Sequence, residues 1–210
     1  RGCGTPPLGV GFEPSIGLVI DDVPYGRSTF AQDAVFDIDR LEVLRGPQGT
    51  LFGKNTLGGV LNFHTMDPTA EPEGFIKIGR GENIESTSVE GALSGPLIGD
   101  KFLARIAMRL TNADTLEFNS TRNEQQTQED KALRLKLAWL ISDTLSADFT
   151  GLYAQSLTKG YTQSLTKASE RSLRVFREYD PRVEDDAFDQ NTSTDSPTRS
   201  DREVQALSLS

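Results

Sequence analysis

Between Phe102 and Tyr153 apolar and polar residues alternate over three successive stretches. That two-residue period is the tightest constraint on what the chain can fold into. Phe102, Ala104, Ile106, Met108 and Leu110 fall on one face of an extended strand, and Leu103, Arg105, Ala107 and Arg109 on the other. Leu133, Leu135, Leu137 and Trp139 oppose Arg134, Lys136 and Ala138. Leu145, Ala147, Phe149, Gly151 and Tyr153 oppose Ser146, Asp148 and Thr150. Two weaker stretches precede them. One opens with Phe75, Ile76 and Ile78; the other runs from Ile84 to Leu93, with Thr87, Val89, Gly91 and Leu93 on one face. A sixth strand is expected near Glu203, running to Ser210.

Strands of this length, about 9–11 residues, suit a tilted crossing of a bilayer, with the apolar face on lipid and the charged face on a polar lumen. A soluble β-rich ligand-binding protein, with one wet sheet face, satisfies the same alternation. The connections separate the two readings. Gly95–Lys101 and Ile141–Thr144 are tight, whereas Asn112–Asp130 and Ser156–Arg202 are long. Short turns on one side and long loops on the other are the outer-membrane pattern, to which the loop after the first strand, Gly79–Asn83, is the exception. Apolar residues make up only 36% of the chain, which a barrel with a polar lumen tolerates. The net charge of −9 argues against a nucleic-acid partner. Cys3 and His64 are the only residues of their types, which excludes an internal disulfide and metal sites built from cysteines or clustered histidines.

Residues 1–66 follow a different grammar. Gly17–Val23 reads as a short strand, Ser28–Asp39 as a short helix with Phe30, Ala34 and Phe36 near one face, and Leu41–Leu44 as a strand stopped by Arg45-Gly46-Pro47. Gln48–Gly53 is a turn region and Gly59–Thr65 a strand. Asp67–Gly74, polar and with two prolines, reads as a linker. The fold class is therefore an α+β domain followed by antiparallel strands of an incomplete transmembrane β-barrel, divided as residues 1–70 and 71–210, with about six barrel strands and a long loop at 156–202. The chain opens in mid-motif, which reads as N-terminal truncation. Gln155–Lys159 and Gln163–Lys167 both spell QSLTK, a single local duplication.

Residues 36–66, FDIDRLEVLRGPQGTLFGKNTLGGVLNFHTM, resemble the C-terminal part of the plug of TonB-dependent outer-membrane receptors. There an E-V-L-R-G-P strand leads through a glycine-rich turn into a G-G-x-I-N strand. Arg1-Gly2 and Ile20-Asp21-Asp22-Val23 resemble two upstream plug segments, with Asp22 in place of the usual glycine and Asp39-Arg40 in place of Glu-Arg. The resemblance implies a receptor of the iron-siderophore type in the bacterial outer membrane. It implies active import of a scarce nutrient, most simply a ferric siderophore, with energy delivered by TonB, ExbB and ExbD through a box upstream of Arg1. It implies no catalysis and no cofactor. Plug loops facing the binding cavity would offer Phe12, Tyr25, Arg27 and Phe30 to the ligand. Arg1 and Arg45 match plug arginines that latch onto barrel glutamates, expected here beyond Ser210.

Other local signals are weaker. Gly49–Asn55 approaches a phosphate-binding loop, but its glycine spacing is one short and Asn55 stands where Ser or Thr should hold magnesium. Asp21 and Asp22, as neighbours on a strand, would point to opposite faces and form no acid/base pair. No nucleophile, base and orienting group can be assembled.

Overall fold

The computed structural model describes residues 14–26, 34–82, 85–119, 123–142, 144–160, 169–179, 181, 190–191 and 198–209. Two sheets organise them. The first has four strands in the order β2-β1-β4-β3: β1 (Ile16–Ile20), β2 (Val23–Tyr25), β3 (Ile38–Arg45) and β4 (Gly59–Thr65). β1 runs parallel to β4, and the other pairs are antiparallel. One helical turn, α1 (Gly49–Phe52), lies between β3 and β4.

Three expectations change here. The strand expected over Gly17–Val23 is two strands, because Asp21 and Asp22 take left-handed φ of 45° and 64° and turn the chain into a hairpin. The two carboxylates therefore sit in a turn, not on opposite strand faces. Of the helix expected over Ser28–Asp39, only Ala34 among the described residues is helical, as part of a 3₁₀ turn. Residues 35–37 belong to no helix, Asp37 has φ 53°, and Ile38 and Asp39 already belong to β3. A left-handed residue cannot continue a right-handed helix. The turn region at Gln48–Gly53 contains the short helix α1. Gly59 is required where it stands: its φ is +144°, and a Cβ there would run into the Leu44 carbonyl oxygen.

The second sheet is an antiparallel wall in the order β11-β9-β8-β7-β6-β5: β5 (Glu73–Gly81), β6 (Ser86–Ile98), β7 (Phe102–Asn119), β8 (Glu124–Ser142), β9 (Leu145–Gly160) and β11 (Thr198–Leu209). A two-residue strand, β10 (Gln190–Asn191), pairs in parallel with β7. Gly99–Lys101 form a 3₁₀ turn between β6 and β7. The loops expected at Asn112–Asp130 and Ser156–Arg202 contain regular structure among their described residues. β7 and β8 stay paired out to Asn119 and Glu124, past an irregularity between Asp114 and Phe118. β9 pairs with β11 as far as Gly160 and Thr198, and an amphipathic helix, α2 (Glu170–Tyr179), lies between them. The extensions escaped the alternation test because they are mostly polar, with only Ala113, Leu116, Phe118 and Leu157 apolar across 112–119, 124–130 and 156–160. Backbone pairing, not burial of one face, carries a strand there. No helix among the described residues is long and apolar enough to cross a membrane, a test that strands do not enter.

The alternating residues face as their period implies. Ile106, Met108, Leu110, Leu133, Leu135 and Trp139 are exposed on one side, while Leu103, Arg105, Ala107, Arg134, Lys136 and Ala138 are buried on the other. The buried side packs against the four-stranded sheet. Ile20, Ala34 and Phe36 form one apolar cluster with Ala92, Ala107, Ala132, Leu152 and Ala154 of the wall. The wall's contribution is mostly alanine, and these small side chains leave room for the segment carrying Phe36. Leu18, Tyr25, Val35, Phe63 and Phe75 pack around it.

Candidate functional site: a clasp between the inner sheet and the wall

Residues 34–37, between β2 and β3, carry the densest set of bonds to the wall. Register explains which side chains reach them. Arg105 of β7 lies opposite Lys136 of β8, Ala107 opposite Arg134, and Arg109 opposite Ala132. Four cations thus share one inward patch, spaced by alanines.

Arg105 grips Asp37 with two parallel bonds, Nε to Oδ2 at 2.8 Å and Nη2 to Oδ1 at 2.6 Å. Both side chains are almost wholly buried. The third nitrogen, Nη1, donates to Glu73 Oε1 at 2.9 Å, at the first residue of β5. A forked guanidinium on a carboxylate is the strong form of a charge-assisted bond. The left-handed turn at Asp37 belongs to the same arrangement, and its own carbonyl accepts from the Met66 N–H at 3.0 Å.

Arg134 makes contacts of another kind. Its Nη1 donates to the Phe36 carbonyl at 2.7 Å, its Nη2 to the Ala34 carbonyl, and its guanidinium lies 4.3 Å from the Phe36 ring centre. Arg109 donates to the Val35 carbonyl at 2.8 Å. Three consecutive carbonyls in an irregular segment have no ladder to join, and the wall supplies their donors. Lys136 closes the clasp. Its Nζ reaches the Thr65 carbonyl at 3.2 Å, Asp67 Oδ1 at 2.9 Å and Asp21 Oδ2 at 3.3 Å. Asp21 in turn accepts from the Thr65 N–H at 2.9 Å and from its hydroxyl, joining the β1–β2 turn to the end of β4. Further on, the Thr69 N–H donates to Ser94 Oγ at 2.8 Å, which ties the connecting segment to β6.

The six residues singled out from the sequence are distributed unevenly. Tyr25 is half-buried and packs on the cluster beside the clasp. Burial pushes its phenol above the usual tyrosine range; the Arg134 charge pulls it down and Asp21 pushes it up. Arg45 is exposed at the far end of β3, paired across to Gly59. Phe12, Arg27, Phe30 and Arg1 lie outside the described residues. Sequence reasoning did not single out Arg105, Arg134, Lys136 or Asp37 as contact residues. The signal was present: charged residues on the inward face of strands whose other face is apolar. A second polar group sits on β3 and β4, where Glu42 accepts from Arg40 at 3.1 Å and Asn62 at 3.3 Å, while Asn62 Nδ2 lies 2.9 Å from His64 Nε2. Arg40 first, then Asn62, hold the Glu42 carboxyl below the usual range.

Comparison with known proteins fits this geometry. A family profile described as the TonB-dependent Receptor Plug Domain matches residues 1–60. The pesticin receptor of Yersinia pestis is 40% identical over 86 residues, covering 41% of this chain and 12% of its own length. The probable TonB-dependent siderophore receptor PirA of Acinetobacter baumannii is 31% identical over 119 residues, covering 50% of this chain and 16% of its own. The chain thus spans less than a fifth of these relatives. Among solved structures, the ferripyoverdine receptor of Pseudomonas aeruginosa superposes with a TM-score of 0.68 at 16% identity, covering 95% of this chain and 25% of that one. The ferric yersiniabactin uptake receptor FyuA of Yersinia pestis gives 0.55 at 24% identity, covering 70% and 23%. With four short inner strands clasped by the inward cations of an antiparallel wall, the chain is similar to TonB-dependent outer-membrane receptors, its residues 1–60 matching their plug domain and its fold their solved structures.

Proposed function

We propose that the complete receptor imports a ferric siderophore across the outer membrane, drawing energy through TonB, ExbB and ExbD. The clasp is the observation that carries the reading. A plug held to the wall by a buried bidentate ion pair, by donors to three consecutive carbonyls and by an apolar cluster rests in the closed position. Import past it calls for work that displaces these contacts together, and no chemical step on the cargo is needed. The siderophore and yersiniabactin receptors among the similar proteins favour an iron chelate as that cargo.

On this reading the border between plug and barrel falls near residue 70, and β5 runs from the periplasm outward. The β7–β8 hairpin end and the α2 region then lie outside the cell, and the turns at Gly99–Lys101 and Ser142–Leu145 in the periplasm. An impermeant thiol reagent on intact cells should label a cysteine at Asn123 and spare one at Ser142. Phe12, Tyr25, Arg27 and Phe30 meet the ligand, and Tyr25→Ala with Arg27→Ala should weaken its binding. Arg1 and Arg45 latch onto barrel carboxylates outside this chain; if Arg45→Ala alters neither plug protection nor uptake, Arg45 has no such role.

The central test is uptake of radioactive iron, supplied as ferric yersiniabactin, ferripyoverdine or ferric enterobactin, by cells whose only receptor is the complete protein. Uptake of one chelate that stops when TonB is deleted is the expected result. Uptake of cobalamin with no iron chelate moved would reassign the cargo, and uptake unaffected by TonB would overturn the mechanism.

A further inference from the structure

The outward face of β5, β6 and β7 carries two cavities, one above the other, that the transport reading does not use. Strand register arranges this face in rows. Ile76, Gly91 and Met108 form one row, Ile78, Val89 and Leu110 the next, and Arg80, Thr87 and Asn112 the third. The lowest row lacks its central side chain. A cavity of about 270 Å³ opens there, lined by Ile76, Val89, Gly91, Leu93, Ile106 and Met108. Its exposed surface is almost entirely apolar. Gly91 keeps it open: a Cβ at that position would stand 3.1 Å from the Phe75 carbonyl oxygen and project into the slot. The third row borders a second cavity of about 170 Å³, lined by Arg80, Glu85, Ser86, Thr87, Asn112 and Asp114. Gly91 and Thr87 are four residues apart on β6, roughly 13 Å along the strand.

We propose that these two cavities form one site for a phosphorylated glycolipid of the outer leaflet, its acyl chain in the slot over Gly91 and its head at Arg80. The inference rests on the reading that this face meets lipid and that β5 runs outward. An apolar slot continuous with a lipid-facing wall selects a hydrocarbon chain, since nothing in it can hydrogen-bond. The upper cavity selects the head. The Arg80 guanidinium fork suits a phosphate. Glu85 and Asp114 accept hydrogen bonds only, and Asn112 and Thr87 both donate and accept. An anionic phosphodiester alone leaves two carboxylates facing negative charge. A phosphorylated sugar brings the hydroxyl and amide donors that satisfy them.

The test places the complete receptor in nanodiscs of equal parts phosphatidylethanolamine, phosphatidylglycerol and lipid A, then counts retained lipids by native mass spectrometry. The parent should retain one lipid A. Gly91→Leu, which fills the slot, and Arg80→Gln, an exposed change that leaves the wall intact, should each lose it. Gly151→Ala, on the outward face of β9 and away from the slot, should retain it. Equal retention in all variants, retention of a phospholipid instead of lipid A, or no retained lipid overturns the proposal. A fluorophore at Leu135→Cys separates this outcome from failure of the underlying reading. Quenching by brominated acyl chains with no lipid A retained removes the site alone, whereas no quenching means that the outward face does not meet lipid.

Discussion

Two groups of charges on the plug side of the molecule use the same residue types to different ends. At the clasp, Asp37 meets Arg105 with both side chains buried and the bonds forked. On β3, Arg40 meets Glu42 and Asp39 at 3.1 and 3.2 Å, with every partner substantially exposed. The distances are nearly alike; the surroundings are not. Water competes for the β3 charges and screens them, so exposed pairs of this kind contribute little. Asp37 and Arg105 expose almost none of their side-chain surface, so removing Arg105 would strand the Asp37 carboxylate, whereas Arg105 without Asp37 would keep Glu73. The comparison teaches that a count of ion pairs says little about where the plug is held. Burial and fork geometry locate the hold on residues 34–37.

The largest expected effect tests that directly. In the complete receptor, Arg105→Ala should lower plug stability by about 3–5 kcal/mol, read as lost hydrogen-exchange protection in β3 and β4. The exchange Asp37→Arg with Arg105→Asp should recover part of it, and a double-mutant cycle should report coupling of about 0.5–3 kcal/mol. Arg40→Ala, measured alongside, should leave protection unchanged. Equal effects at Arg105 and Arg40 would break the distinction between the two groups.

A smaller effect is expected at Arg134, whose partners are carbonyls. Arg134→Met removes two charge-assisted bonds and the stacking on Phe36 but strands no opposite charge, and should destabilise by about 2–3 kcal/mol. Arg134→Lys keeps the charge and can serve only part of the fork, so it should fall between Met and the parent. If Arg134→Met costs more than Arg105→Ala, carbonyl capture and not the Asp37 pair is the main hold.

How much of this was legible in the sequence differs between the two sheets. The wall announced itself because β7 and β8 alternate where one side is apolar, and their faces are those read from Phe102–Leu110 and Leu133–Trp139. β4 spans Gly59–Thr65, as read. Beyond Asn112 the apolar face thins to Leu116 and Phe118, and Glu124–Asp130 opposite is wholly polar, while the ladder continues, because backbone pairing leaves no trace in side-chain polarity. Asp21 and Asp22 hid a turn in what reads as one apolar run, since left-handed φ at aspartate is permitted but not demanded. The clasp was legible only in half. Arg105, Arg109, Arg134 and Lys136 were visible as inward charges. Their partners are carbonyls of 34–36 and the side chain of Asp37, and a carbonyl acceptor carries no sequence signature. The resemblance directed attention to plug arginines and barrel carboxylates, whereas the contacts among the described residues run the other way, from wall cations to plug acceptors.

The smallest effect concerns Tyr25, which joins the clasp electrostatically without a bond of its own to Arg134 among those described. Burial raises its phenol above the ordinary value near 10, the Arg134 charge offsets part of that, and Asp21 adds to it. A raised value in the folded state means that the fold favours the neutral phenol. The contribution to stability is therefore full below about pH 10 and is lost as pH rises through the folded value. The difference in alkaline ultraviolet titration between the complete receptor and its Tyr25→Phe variant isolates this group. Ionisation of Tyr25 should come later than that of a free tyrosine, and later again in Arg134→Met, where the offsetting cation is gone. An ordinary or early ionisation would mean that Tyr25 faces water and lies outside the clasp's field. A shift unchanged by Arg134→Met would mean that the phenol feels burial alone, and the clasp would then end at Phe36.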